Sequence, residues 1–184
     1  MPNRAVVFVS EATPHLAVEH LAAIMADAAR FNRNAGVSGV TLYDGRRFLA
    51  YMEGPPDGLD VAFSRAAGAS SHAELIELAR GRAGQRRLPY WPMRCVPLSP
   101  PELVQLVRAD WTSFLQREGD QTGPATAMEM LVGGCSNLLR RPFDCGSWHF
   151  PERFAHSSVY HRSHRSFRAL DVERIIWLWI EGRH

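Results

Sequence analysis

The stretch that most constrains this chain is residues 32–54, NRNAGVSGVTLYDGRRFLAYMEG. Two β-rich runs, 37–43 and 47–53, flank Asp44-Gly45. An Asp-Gly pair between strands is the strongest short-range hairpin signal, because a type I′ turn needs positive φ at both central residues. Gly36 and Gly39 lie just upstream, where the chain leaves a helix and enters the hairpin. Asn32 falls on the last turn of that helix. Its amide can donate and accept toward whatever lodges between helix and sheet.

The elements around the hairpin follow from periodicity. Residues 5–9 (AVVFV) read as a buried strand. Over 17–31, Val18, Leu21, Ile24, Met25, Ala28 and Phe31 recur at three- and four-residue steps, which predicts an amphipathic helix. Pro55-Pro56-Asp57 stops the second hairpin strand and opens a helix over 59–67. Residues 74–79 are assigned as a strand by their surroundings, since Glu and Ala form strands poorly. Residues 91–96 give the last strand; Pro92 removes a ladder donor, so this strand belongs at an edge or is irregular there. The order β-α-β-β-α-β-β predicts an α+β fold, a ferredoxin-like sandwich with two helices on one sheet face.

Ser99-Pro100-Pro101 ends that unit, and residues 102–116 predict an added C-terminal helix with Leu103, Leu106, Val107, Trp111 and Leu115 on one side. A polar linker is expected over 118–126, then an irregular tail beyond Met130, closed by a short apolar element at 175–180. A tail translated in an altered reading frame is one explanation of that irregularity. The expected division is 1–97, 98–117 and 118–184.

Several function classes are excluded at this level. The 184 residues suffice for one ordinary domain with an extension. No apolar run is long enough to span a membrane, and no basic-then-apolar leader opens the chain, so a cytoplasmic protein is expected. A net charge of +2 is too small to argue for nucleic acid. Three scattered cysteines suggest reduced thiols. Cys135, Cys145, His149, His156, His161 and His164 lack the tight paired spacing of zinc ligands, and no metal site is expected. There is no glycine-rich phosphate loop, nucleophile elbow or zinc-hydrolase helix, so no enzyme is expected. An acylphosphatase-like reading needs an Arg at the end of the first strand, where Ser10-Glu11-Ala12 stands. Arg46-Arg47 and Arg86-Arg87 read as solvated loop charges.

Asn32, Gly36, Gly39, Phe48, Glu53-Gly54 and Trp91 together make residues 3–96 resemble a BLUF domain, the flavin-binding blue-light sensor family. The segments that carry it are FVS, N-x-x-x-G-V-S-G, LYDG, RFLAYMEG and PYWPM, in order. The resemblance implies a flavin, usually FAD, held between the two helices and against the sheet. By that resemblance Ile24 packs on the ring, Asn32 bonds its polar edge, and Phe48 lines the pocket. Arg65 and His72 are kept near the second helix, and Trp91 and Met93 report on the ring from the last strand.

The departures are equally specific. The family's first-strand Tyr and third-strand Gln form a hydrogen-bond chain to the flavin; here Phe8 and Ala50 stand there. Phenylalanine has no phenolic proton to transfer and alanine no amide to rotate. Phe31 replaces the more usual Asn or His, and Ala69 and Ser71 replace an acidic and a basic residue. Each lost buried hydrogen bond is worth about 1 kcal/mol. The expectation is a BLUF-like sensory domain with an impaired or absent photocycle and with FAD affinity weakened or lost. The alternative is a ligand-free descendant kept for protein interaction or dimerisation. Expected partners are a signalling protein or a second copy of the chain, with neither nucleic acid nor membrane.

Overall fold

The computed structural model of the chain describes residues 3–14, 16–111 and 126–138. Two units divide the chain, Met1–Trp148 and His149–His184, and the second lies outside the described residues. The expected linker up to 125 and the apolar element at 175–180 also lie outside them.

The elements run β1 (Asn3–Ala12), α1 (Val18–Asn34), β2 (Ser38–Tyr43), β3 (Arg47–Gly54), α2 (Pro56–Ala67), β4 (His72–Gly84), β5 (Arg94–Pro97), α3 (Pro100–Val107) and α4 (Ala127–Leu138). One five-stranded sheet has the order β4-β1-β3-β2-β5. Its pairs are antiparallel except β2 with β5, which is parallel. This is the expected α+β arrangement, with β5 added at the edge beside β2.

The hairpin forms where the Asp-Gly pair placed it, in a different register. Tyr43 pairs with Phe48, so the central turn residues are Gly45 and Arg46 rather than Asp44 and Gly45. Only Gly45 has positive φ, +96°, the type II′ pattern rather than type I′. Asp44 caps the turn instead, accepting from the Arg46 and Arg47 amides at 3.0 and 2.6 Å. Its other oxygen accepts from Arg47 Nε at 2.9 Å. Arg47 is only 8% exposed, so it is a buried partner of Asp44 and not a solvated charge.

One sheet face carries α1 and α2. Val6, Phe8, Ala50 and Met52 of the strands pack with Val37 and with Leu59 and Ala62 of α2. A side chain at Gly58 would sit 2.1 Å from the Ala35 carbonyl oxygen, so the glycine lets the start of α2 close against the end of α1. The other sheet face is buried too, at Val7, Val9, Val40, Leu42, Leu49 and Tyr51.

Four later elements differ from expectation. β4 is longer than 74–79 and is an edge strand whose register with β1 shifts three times; Glu74 takes a φ of +50° beside one shift. β5 begins only at Arg94, because Pro92 cannot join the ladder. α3 stops at Val107 instead of running to 116: Trp111 is buried and its indole N–H donates to the Leu106 carbonyl at 2.9 Å, satisfying a terminal carbonyl from outside the helix. Residues 112–116 lie outside the described residues. α4 occupies part of the stretch read as linker and irregular tail, opened by Thr126, whose amide donates to Glu129 at 2.8 Å.

Candidate functional site

A cleft of about 580 Å³ opens between α1, α2 and the sheet. Three segments build it. α1 contributes Ile24, Met25, Asp27, Ala28 and Asn32, residues that share one helix face by three- and four-residue spacing. α2 contributes Ala62, Arg65 and Ala66, and the loop 68–72 closes one end. The floor is a row across three strands: Phe8 on β1 pairs with Ala50 on β3, which pairs with Thr41 on β2. Met52 and Met93 complete it.

Asn32 faces this cleft and is 3% exposed, as buried as Thr41 on the floor. Its Nδ2 donates to the Pro92 carbonyl at 2.7 Å. Among the described residues Oδ1 meets no donor, an orphaned acceptor that favours a ligand bearing an N–H. Ala50 carries only a methyl, and the neighbouring Thr41 hydroxyl donates to the Met93 sulfur at 3.4 Å. Phe8 meets Phe63 edge-on at 5.4 Å.

The charged groups sit at the rim. Arg65 ion-pairs with Asp27 across the two helices and lies over the Phe31 ring at 5.0 Å. The hydrogen bond from Arg65 holds the Asp27 carboxyl below its usual range. On the loop side, the Ser10 hydroxyl and His72 Nδ1 are 2.7 Å apart. Burial lowers the His72 pKa, so the imidazole facing the cleft favours its neutral form.

Of the residues singled out in the sequence, Ile24, Asn32, Arg65 and Met93, with Phe8 and Ala50, line the cleft. Phe48 and Trp91 stand outside its lining. Phe48 lies one step nearer the hairpin, stacked on Tyr43 at 4.6 Å and edge-on to His72 at 5.1 Å. Trp91 lies under the Arg94 guanidinium at 4.8 Å, and its carbonyl accepts from Gly39 at 2.9 Å. Among the described residues, no tyrosine or tryptophan lines the cleft. Tyr43 turns its hydroxyl to the Gly45 carbonyl at 2.8 Å. Met25, Asp27, Thr41 and Met52 were not foreseen; the helical spacing of 24, 28 and 32 and the strand alternation of 50 and 52 carried that signal.

The segment that enters the last strand is pinned from both sides. Glu53, wholly buried, accepts from the Tyr51 hydroxyl at 2.9 Å, the Arg87 amide at 2.8 Å and the Leu88 amide at 2.6 Å. Arg86 donates to Ser38 and to the Gly36 carbonyl, the latter at 2.9 Å, so it clamps the segment rather than facing solvent.

Comparison with known proteins agrees with this architecture. The family described as sensors of blue-light using FAD matches residues 4–94. This segment is a BLUF domain. BlrB, a BLUF protein solved in its dark state, aligns at a TM-score of 0.55 and 25% identity, covering 72% of this chain and 97% of BlrB. The BlrP1 BLUF structure aligns at 0.53 and 23% identity, over 73% of this chain and 89% of that one. The photo-activated state of BlsA gives 0.54 and 18%, over 76% and 96%. The last two likenesses are likenesses of fold. The chain spans 24% of a longer Klebsiella pneumoniae BlrP1 solved with manganese and cy-diGMP, at 26% identity over 52% of its own length and a TM-score of 0.49. No curated protein matches the sequence. Among the described residues of the BLUF domain and beyond, no helix is long and apolar enough to cross a membrane, and no cluster of metal-ligating side chains forms. Cys145, His149, His156, His161 and His164 lie outside them, and nothing is described of the Cys135 side chain.

Proposed function

We propose that this BLUF domain holds the ring of FAD in the cleft but lacks the family's light-driven rearrangement of hydrogen bonds. The observation that carries the reading is the buried Asn32 amide, with its unpartnered Oδ1, set above a floor of Phe8 and Ala50 in register. A flat, mostly apolar slot of about 580 Å³ with one orphaned acceptor fits a planar ring with an N–H edge. Bound FAD supplies a chromophore that absorbs blue light and accepts electrons. Ile24 and Ala66 would pack on the ring, Asn32 would bond its edge, and the Asp27–Arg65 pair would close the rim.

Phe8 and Ala50 leave that ring without a phenol and without a rotating amide. At about 1 kcal/mol per missing hydrogen bond, binding is weaker than with the family pair by roughly ten- to a hundred-fold. The domain then acts in the cytoplasm as a sensory or signalling module rather than a catalyst. It reaches a signalling partner or a second copy through the segment after Pro101.

The test is purification from flavin-replete cells, followed by titration with FAD. A yellow protein supports the reading. A protein that stays colourless in excess FAD overturns it and leaves the ligand-free interaction module.

A further inference from the structure

Among the described residues, three thioethers line the cleft, those of Met25, Met52 and Met93, and no phenol, indole or thiol accompanies them. Met25 and Met52 are 7% and 1% exposed. Met93 is half-buried just before β5, its sulfur held over the floor by the Thr41 hydroxyl at 3.4 Å. We propose that Met93 is a light-dependent modification site, oxidised to methionine sulfoxide by dioxygen when flavin in the cleft is illuminated. The inference rests on the FAD reading above and concerns what this chain's own side chains undergo.

The chemistry follows from which groups remain. A tyrosine or tryptophan beside a light-excited flavin deactivates it by giving up an electron. With neither among the described lining residues, excitation of bound FAD would last long enough to pass to dissolved dioxygen and give its reactive singlet form. Thioethers are among the side chains that this oxidant attacks, and they give sulfoxides. An S–O bond forms between dioxygen and the thioether. The O–O bond then breaks with uptake of water: thioether, dioxygen and water give sulfoxide and hydrogen peroxide. Sulfur loses two electrons and dioxygen gains them.

The product would not be silent. A Cβ built on Gly39 lies 3.2 Å from the Met93 methyl carbon, so this side chain is tightly packed against β2. A polar oxygen on that sulfur competes for the Thr41 hydroxyl and strains the packing between β2 and the approach to β5. The mark persists after the light is removed, until a reductase reverses it.

The experiment uses the full chain with FAD bound, its flavin content read from the visible spectrum before illumination. Blue light in air is followed by peptide mass analysis, with Met128 and Met130 of α4 as internal controls outside the cleft; Met130 is half-buried like Met93. The expected result is gain of one oxygen at Met93 several-fold faster than at Met130. That reaction should stop in the dark or under argon, quicken in heavy water, and slow in F8Y. Oxidation of Met93 no faster than Met130 in flavin-loaded protein overturns this inference and leaves the FAD reading standing. A protein that takes up no flavin overturns both.

Discussion

The two faces of β3 have opposite polar character, although they alternate along one strand. Tyr51 and Glu53 point away from the cleft into a buried network whose donors and acceptor are matched. Ala50 and Met52, between and beside them, face the cleft with no polar atom in the side chain. The difference separates two jobs. The carboxylate of Glu53 ties the 87–88 backbone to the sheet, so its loss would cost the fold. The cleft face packs the sheet against the helices through apolar groups, Phe8, Ala50 and Met52 among them, so the architecture there needs no polar relay.

The comparison can be broken most forcefully on the network side. Glu53→Ala removes the buried carboxylate that accepts from the Tyr51 hydroxyl and from the Arg87 and Leu88 amides. The expected cost is about 3 kcal/mol or more, read as a lowered denaturant midpoint. A midpoint within experimental error of the parent would deny the network its structural role.

A smaller effect is expected on the cleft side. Asn32→Ala should weaken FAD binding about tenfold, measured by titration. Its effect on the fold comes only through the Pro92 carbonyl that loses its donor. Should affinity survive intact while stability collapses, Asn32 would belong with Glu53 rather than with a binding site.

The smallest effect is a pH dependence. His72 has a pKa lowered by burial from an ordinary value of 6.5. Below that value the unfolded chain takes up a proton that the folded imidazole resists. Stability is therefore complete above 6.5 and declines as the pH falls toward the lowered folded value. His72→Gln should flatten this decline in denaturant midpoints taken from neutral to mildly acidic pH. An unchanged slope would place the titrating group elsewhere.

Much of this was legible in the residues. The Asp-Gly pair, the helical spacing through Asn32 and the apolar 5–9 run gave the sheet and its two helices, because local pattern and tertiary burial agree there. The turn type was missed, since an Asp-Gly pair does not say whether Asp sits inside the turn or caps it. α3 was overextended because the apolar spacing runs on through Trp111, whereas the helix ends at Val107 and the Trp111 indole turns back onto the Leu106 carbonyl. Arg47 and Arg86 looked solvated because sequence does not show which carboxylates and carbonyls a guanidinium will meet. Of the positions named by family resemblance, Ile24, Asn32 and Met93 line the cleft, whereas Phe48 and Trp91 stand outside its lining by one strand step and one irregular turn.

The central claim, a cleft shaped for a flavin ring without a working relay, is tested most directly by the light-minus-dark visible spectrum of the FAD-bound chain. The account predicts no reversible red shift in the parent and the return of one, at least in part, in the Phe8→Tyr, Ala50→Gln double variant. A full, reversible red shift in the parent protein would contradict it.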